Sequence, residues 1–205
     1  VLTIFLFYYS TQSFGFTVTE ISRISTTKLR AHHQAPSRTD ADDSHSLQVQ
    51  IFDSVFSRDT CETLHDLALE HSERGNDGSS VFYRGDAADL TPLEYALDSC
   101  LTQLGDTNDV CEYWSRNEYI HMDAHADIDE QLLEDEEKIR CPEFGHVLYL
   151  DLAPNIRGPT CVFSEYGGWA NVNTTTTIVT VPAVQGRVLR FPGSAMHAVP
   201  KPTNR

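Results

Sequence analysis

Apolar positions along this chain change period near residue 110. Between Ser57 and Gly105 they recur at helical spacing; beyond Val110 they gather in short runs cut by turn residues. Cys61, Leu64, Leu67 and Leu69 form one stripe behind Ser57, whose hydroxyl suits a helix N-cap, and Gly75-Asn76-Asp77-Gly78 closes the segment. Thr91-Pro92 opens a second helix, because proline at the first helical position gives up no hydrogen bond. Leu93, Ala96, Leu97, Cys100, Leu101 and Leu104 then share a face until Gly105. Residues 47–52 alternate as a strand should. Further short strands are expected at 110–115, 118–126, 146–152, 160–163, 176–181, 187–191 and 196–199. Strands punctuated this regularly predict a sandwich, barrel or jelly roll, here an antiparallel double sheet with two helices packed on it. No internal repeat is visible.

The amino-terminal residues 1–9, VLTIFLFYY, are a strongly apolar run too short to span a bilayer. They fit the apolar region of a signal or targeting segment, with a buried strand as the alternative. Ser13-Phe14 resembles the small-residue–Phe junction of bipartite plastid presequences. Residues 17–45 are rich in Ser, Thr, Arg and His and read as loop-like or transit-peptide-like. The expected organisation is a targeting-like, low-order segment over 1–45 and one folded domain over 46–205. The secretory pathway or a plastid is expected if the apolar run is a targeting segment, and the cytoplasm otherwise. No stable membrane span is expected.

Charge narrows the partners. Thirty Asp and Glu against 15 Lys and Arg give a net charge of −15. Phosphate backbones need a basic face, so nucleic acid is not an expected partner, and an anionic membrane surface is disfavoured for the same reason. The acidic run 123–137 reads as a solvated loop or helix face, or as a source of carboxylates for a cation or basic substrate. Five cysteines without a CxxC pair argue against a disulfide framework or zinc ribbon and for free, mostly buried thiols.

Candidate chemistry lies in residues 119–127, Tyr-Ile-His-Met-Asp-Ala-His-Ala-Asp. Its even positions are apolar and its odd ones polar, as on a strand with one wet face. Residues two apart share that face roughly 6.6 Å apart along the strand. His125-Ala126-Asp127 therefore aims an imidazole and a carboxylate at one point. A second imidazole from a distant strand, His197, would complete two His and one carboxylate on one face of a metal, a set suited to non-haem Fe(II). His121-Met122-Asp123 has the same spacing, and spacing alone does not choose between the two.

Downstream the chain reads, in order, His146-Val147-Leu148-Tyr149-Leu150, Arg157-Gly158-Pro159-Thr160-Cys161-Val162-Phe163, Gly186-Arg187-Val188-Leu189-Arg190-Phe191-Pro192-Gly193 and His197-Ala198-Val199-Pro200. Over residues 47–205 this ordered set resembles the Fe(II)- and 2-oxoglutarate-dependent dioxygenase superfamily, specifically its prolyl 4-hydroxylase-like domain. That family carries His-x-Asp on one strand. An apolar strand follows, then a Gly-Gly-x-Thr-x-Phe-like segment, a Gly-x-x-Leu-x-Phe strand, and a distal His before a Pro turn and a basic residue.

The resemblance implies a mainly β fold with flanking helices, a double-stranded β-helix (jelly roll) with two N-terminal helices on its major sheet. It places iron on His125, Asp127 and His197. It also implies 2-oxoglutarate and O2 as cosubstrates, with ascorbate as an accompanying cofactor. The reaction implied is decarboxylation to succinate and carbon dioxide, coupled to hydroxylation of a C–H bond. The substrate would be a peptidyl residue, with proline the nearest analogy, or a small molecule. No catalytic residue beyond the metal ligands is expected.

A cation for the far carboxylate of 2-oxoglutarate is expected at Arg205, whose planar guanidinium can grip a carboxylate in two places, with Lys201 as second candidate. Tyr149 and Tyr119 are candidates to hydrogen-bond the cosubstrate. Family spacing would place the base farther beyond His197, so the last strand of the jelly roll is expected to be missing from this sequence. His146 is expected to be structural, Trp114 and Trp169 to pack, and Arg187 or Arg190 to hold an acidic partner. Two other readings keep the double sheet: a jelly roll that binds metal or ligand without catalysis, and a cupin-like metalloprotein, which His121 and His125 faintly imitate.

Overall fold

A computed structural model describes residues 2–9, 26–28, 48–73, 79–85, 89–116, 121–152, 158–164 and 177–200. In chain order its elements are β1 (Leu2–Tyr9), β2 (Thr26–Lys28), β3 (Gln50–Phe52), α1 (Arg58–Glu73), β4 (Ser80–Tyr83), α2 (Pro92–Gln103), β5 (Val110–Arg116), β6 (Met122–His125), α3 (Glu130–Glu136), β7 (Phe144–Asp151), β8 (Thr160–Phe163), β9 (Ile178–Val181), β10 (Val188–Pro192) and β11 (His197–Val199). The chain is mainly β. Its strands form a seven-stranded sheet in the order β2-β3-β10-β7-β1-β5-β4 and a four-stranded sheet in the order β6-β11-β8-β9. Every strand pair is antiparallel.

The helices form where the capping chemistry puts them. Ser57 Oγ accepts the Thr60 backbone N–H at 3.1 Å ahead of α1. Thr91 and Glu94 exchange a reciprocal capping box at α2, which satisfies two backbone donors that a helix start leaves open. Leu64 and Ala68 of α1 and Leu97 and Leu101 of α2 bury against Leu148 and Leu150 of β7 and Tyr113 of β5. On the other face of the same sheet, Val147 and Tyr149 of β7 and Leu189 and Phe191 of β10 bury against Val162 of β8 and Val181 of β9. β7 is thus covered on both sides, which is why its sequence is apolar almost throughout.

Sequence and structure can be compared element by element. Thr26–Lys28, within the stretch read as loop-like, pairs with β3 as β2. Residues 2–9, expected ahead of the domain, form β1, hydrogen-bonded between β7 and β5. A run rich in aromatic and branched residues meets strand requirements as well as targeting ones, and periodicity does not separate the two. The strand alternative for this run is the one its pairing matches. β4 was not expected because one buried residue, Phe82, anchors it at a sheet edge. Residues 130–136 of the acidic run wind into α3, capped by Asp129 and with no buried residue, the helix-face option for that run. The expected strand 118–126 narrows to Met122–His125, with residues 117–120 outside the described set. No helix among the described residues is long and apolar enough to cross a membrane.

Candidate metal centre

β6 and β11 lie side by side in the smaller sheet, with His197 opposite His125 and Val199 opposite Met122. Two steps on β11 thus match three on β6, the signature of a β-bulge. The extra residue reverses the alternation. Met122 packs into the layer between the sheets, and His125 follows it inward, while Asp123 and Ala124 both face out. The odd positions of this stretch are therefore not one face, and the bulge separates the two His-x-Asp pairs. His121 and Asp123 stand outside, 3.1 Å apart, with Asp123 97% exposed. Asp127 is 13% exposed and His197 fully buried. The structure brings together His125, Asp127 and His197, one ligand atom from each lying within 4.8 Å of the others.

Their orientation fits a cation. His125 Nδ1 donates to the Asp123 carbonyl at 2.7 Å, and His197 Nδ1 to the Ala195 carbonyl at 3.4 Å. A carbonyl only accepts, so both rings carry their proton on Nδ1 and turn the Nε2 lone pair inward. His125 Nε2 is 3.8 Å from Asp127 Oδ1, and His197 Nε2 is 3.5 Å from Asp127 Oδ2. Neither is a hydrogen bond. His197 Nε2 and Asp127 Oδ2 are buried without a hydrogen-bond partner among the described residues. Burying such atoms bare costs free energy that a shared metal ion would recover.

Electrostatics sharpen the picture. Burial, then the Glu112 charge, push the Asp127 carboxyl up to about 7. Burial, then His125, push the His197 imidazole down to about 4. His197 is neutral at physiological pH, as a ligand must be, while Asp127 and Glu112 set two carboxyl groups near one point. A divalent cation would relieve that crowding.

Neighbouring elements hold the three in place. Gly145 leaves room for the Phe191 ring, which a Cβ there would meet at 2.6 Å; that ring lies 5.0 Å from the His197 ring. Gly193, in the turn before β11, passes so close to Pro142 that a Cβ would sit 2.0 Å from its carbonyl oxygen. Beyond Asp127, the Asp129 carboxylate caps α3 through the Leu132 N–H and pairs with Arg140. The loop carrying Asp127 is therefore fixed at its far end.

Of the other expected site residues, Tyr149 lies in the layer between the sheets, its hydroxyl bonded to Thr160 Oγ1 at 2.7 Å, and burial pushes it up to about 12. Tyr119, Lys201, Arg205 and Trp169 lie outside the described residues. His146 is buried on the opposite, helix-covered face, and desolvation followed by Arg190 and Arg84 push it down to about 3. Arg187 pairs with Asp53 and Arg190 with Asp106. All five cysteines are free, three of them buried. Glu112 and Thr160 were not singled out as site residues, since a strand Glu or Thr reads as wet-face filler. No family model, curated protein or solved structure matches this chain.

Proposed function

We propose that the protein is an Fe(II)- and 2-oxoglutarate-dependent dioxygenase, prolyl 4-hydroxylase-like, that hydroxylates a peptidyl or small-molecule C–H bond. One observation carries this reading: two imidazoles that turn Nε2 inward and one largely buried carboxylate converge within 4.8 Å. Two His and one carboxylate leave coordination positions open, the arrangement non-haem iron oxygenases use. The path of the chain supports a jelly roll. From β5 to β8 successive strands alternate between the larger and smaller sheets, β9 stays beside β8, and β10 and β11 alternate again.

His125, Asp127 and His197 would hold the metal. Iron held there with 2-oxoglutarate and O2 would supply oxidative decarboxylation and C–H hydroxylation. The chain's own part is geometry and exclusion of water: the carbonyls of Asp123 and Ala195 set the imidazole tautomers, and Val147, Val162 and Phe191 line a dry layer behind them.

Succinate release tests the proposal. The wild-type chain should convert 2-oxoglutarate to succinate only with Fe(II), and His125→Ala and His197→Ala should each abolish conversion. Succinate formation that survives both changes overturns it. Iron uptake with no binding of 2-oxoglutarate would favour the non-catalytic metal-binding module instead.

A further inference from the structure

The two imidazoles of the trio and its carboxylate are not held in the same way. β6 ends at His125, and its ladder with β11 sets His125 opposite His197. Asp127 lies beyond that last rung. Its Oδ2 has no hydrogen-bond partner among the described residues, and its Oδ1 stands 3.8 Å from His125 Nε2. The place of this carboxylate therefore depends on the loop that carries it. That loop runs straight into α3, which buries no residue and so has no core face to hold it.

The segment 140–143, which leads into β7, reaches this loop. The Arg140 carbonyl accepts the Asp129 backbone N–H at 2.9 Å, and the Arg140 guanidinium donates to Asp129 Oδ2 through Nε, at 3.1 Å, and through Nη2. Backbone and side chain of Asp129 are thus tied to one residue, while its Oδ1 caps α3. Cys141 follows. Burial, then the Asp127 charge, push its thiol up, so this segment lies within electrostatic reach of the ligand carboxylate. The far end of the segment meets the other arm of the site. Pro142 is buried with its carbonyl packed on Gly193, and the Glu143 carbonyl accepts the Gly193 N–H at 3.0 Å. Gly193 belongs to the turn whose Ala195 N–H returns to the Pro192 carbonyl at 2.8 Å, and whose Ala195 carbonyl receives His197 Nδ1. Four consecutive residues therefore join the Asp127 loop to the turn that orients His197, and β7, covered on both faces, anchors them.

We propose that Arg140 is a positioning residue of the metal centre: its grip on Asp129 holds the Asp127 carboxylate where Nε2 of His125 and Nε2 of His197 converge. This role rests on the metal-binding part of the function proposed above, and on neither the cosubstrate nor the reaction. Two donors of one planar guanidinium fix the direction of Asp129 as well as its distance. Without them the loop 126–129 must be ordered at the moment the ion binds, and that cost appears as lost affinity. Arg140 acts through Asp129 and not on the ion. Its side chain is 55% exposed, so the pair adds little to the stability of the fold itself.

The test uses the full chain and Mn(II) alone, with free Mn(II) measured by EPR and urea unfolding in chelator beside it. Arg140→Ala should weaken Mn(II) binding by about tenfold, the lower end of what outer partners of metal ligands contribute, and leave the urea midpoint unchanged. Arg140→Lys, which keeps the charge as a single point, should recover part of the loss. Asp129→Asn keeps the cap on the Leu132 N–H but loses the pairing, so it should match Arg140→Ala. The double variant should be no weaker than either single one, because both remove the same interaction. Arg140→Ala with wild-type Mn(II) affinity overturns the assignment, and so do losses that add in the double variant. A role in folding alone would lower the urea midpoint and leave the affinity of the folded chain unchanged, which also overturns it. A wild-type chain that takes up no Mn(II) overturns the metal reading, and positioning by Arg140 with it. A chain that shows these Mn(II) affinities yet forms no succinate supports the role of Arg140 and overturns the dioxygenase alone.

Discussion

The larger sheet buries polar groups on both faces, and the two sets are balanced differently. On the helix-covered face, Arg84 Nε bonds Asp98 Oδ1 at 2.5 Å, its Nη1 lies 3.4 Å from Asp106 Oδ1, and Arg190 Nη2 lies 3.8 Å from Asp106 Oδ2. Further donors go to the carbonyls of Leu104 and Asn108 and the Thr102 hydroxyl. Two guanidinium groups meet two carboxylates, and the charge cancels. On the face toward the smaller sheet, Asp127 and Glu112 stand with two imidazoles and no paired guanidinium among the described residues; each face keeps a buried carboxylate oxygen without a hydrogen-bond partner among those residues, Asp106 Oδ2 on the first and Asp127 Oδ2 on the second, so the difference lies in the balance of charge. A balanced cluster holds elements together. An unbalanced one costs stability and is a candidate binding site for a charged group.

Removing one member from each cluster should break this contrast most visibly. Asp106 is fully buried between Arg84 and Arg190, so Asp106→Ala leaves Arg190 without its carboxylate and Arg84 with Asp98 alone. Loss of one partner from a buried ionic cluster costs about 3–5 kcal/mol. Urea unfolding should show a loss of that size, while the folded fraction keeps its Mn(II) affinity. A loss below about 1 kcal/mol, the range of a surface pair, would erase the distinction between the two faces.

The opposite sign is expected at Asp127. Its folded value of about 7 lies above the ordinary carboxyl value of 3.8. The stabilising proton is held in full below the unfolded value and given up as pH rises toward 7, so without metal the native state weakens across that window. Asp127→Asn removes the cost. Measured in chelator at pH 8, the variant should be more stable than wild type by on the order of 2–4 kcal/mol, and the two should converge near pH 3. The same change should abolish the rise in Tm that Mn(II) gives the wild type. His197 contributes in the other direction: its folded value of about 4 lies below 6.5, so stability is lost as pH falls from 6.5 toward 4. An Asp127→Asn chain no more stable than wild type at pH 8 would mean that the carboxylate is solvated, and would remove the strain argument for a metal.

Much of this was readable in the amino acids. The strands from Val110 onward fall close to where turn residues cut the apolar runs, because each strand is short and bounded by chemistry that cannot continue it. Both helices announce themselves through Ser57 and Thr91-Pro92. The trio of His125, Asp127 and His197 was readable as residue types. What alternation did not give was its face: a strand drawn from period two alone puts His121, Asp123 and His125 together, and the bulge that separates them depends on how β11 pairs with β6. Glu112 was hidden for a related reason. On an isolated strand, Glu112 beside Trp114 looks like a wet face, and only the second sheet laid over it brings its charge to bear on Asp127. β1 was ambiguous because burial in a sheet and membrane targeting ask for the same side chains.

The smallest effect is the sharpest check on the bulge. If β6 kept strict alternation, His121 and Asp123 would face inward with His125, and removing them would disturb the site. With the bulge, they form a rim pair. The His121 ring bridges the Val199 carbonyl at 3.0 Å and the exposed Asp123 carboxylate. His121→Ala and Asp123→Ala should each change stability by less than about 0.5 kcal/mol, as surface substitutions do. Mn(II) affinity should stay within twofold of wild type, because Asp123 holds the His125 ring through its backbone carbonyl, which the substitution keeps. Inserting proline at 123 is not equivalent, since it changes that backbone. A tenfold loss of Mn(II) affinity in Asp123→Ala, with Asp127→Ala leaving it intact, would move the site to the other His-x-Asp pair and place the extra residue of β6 on the wrong side of His125.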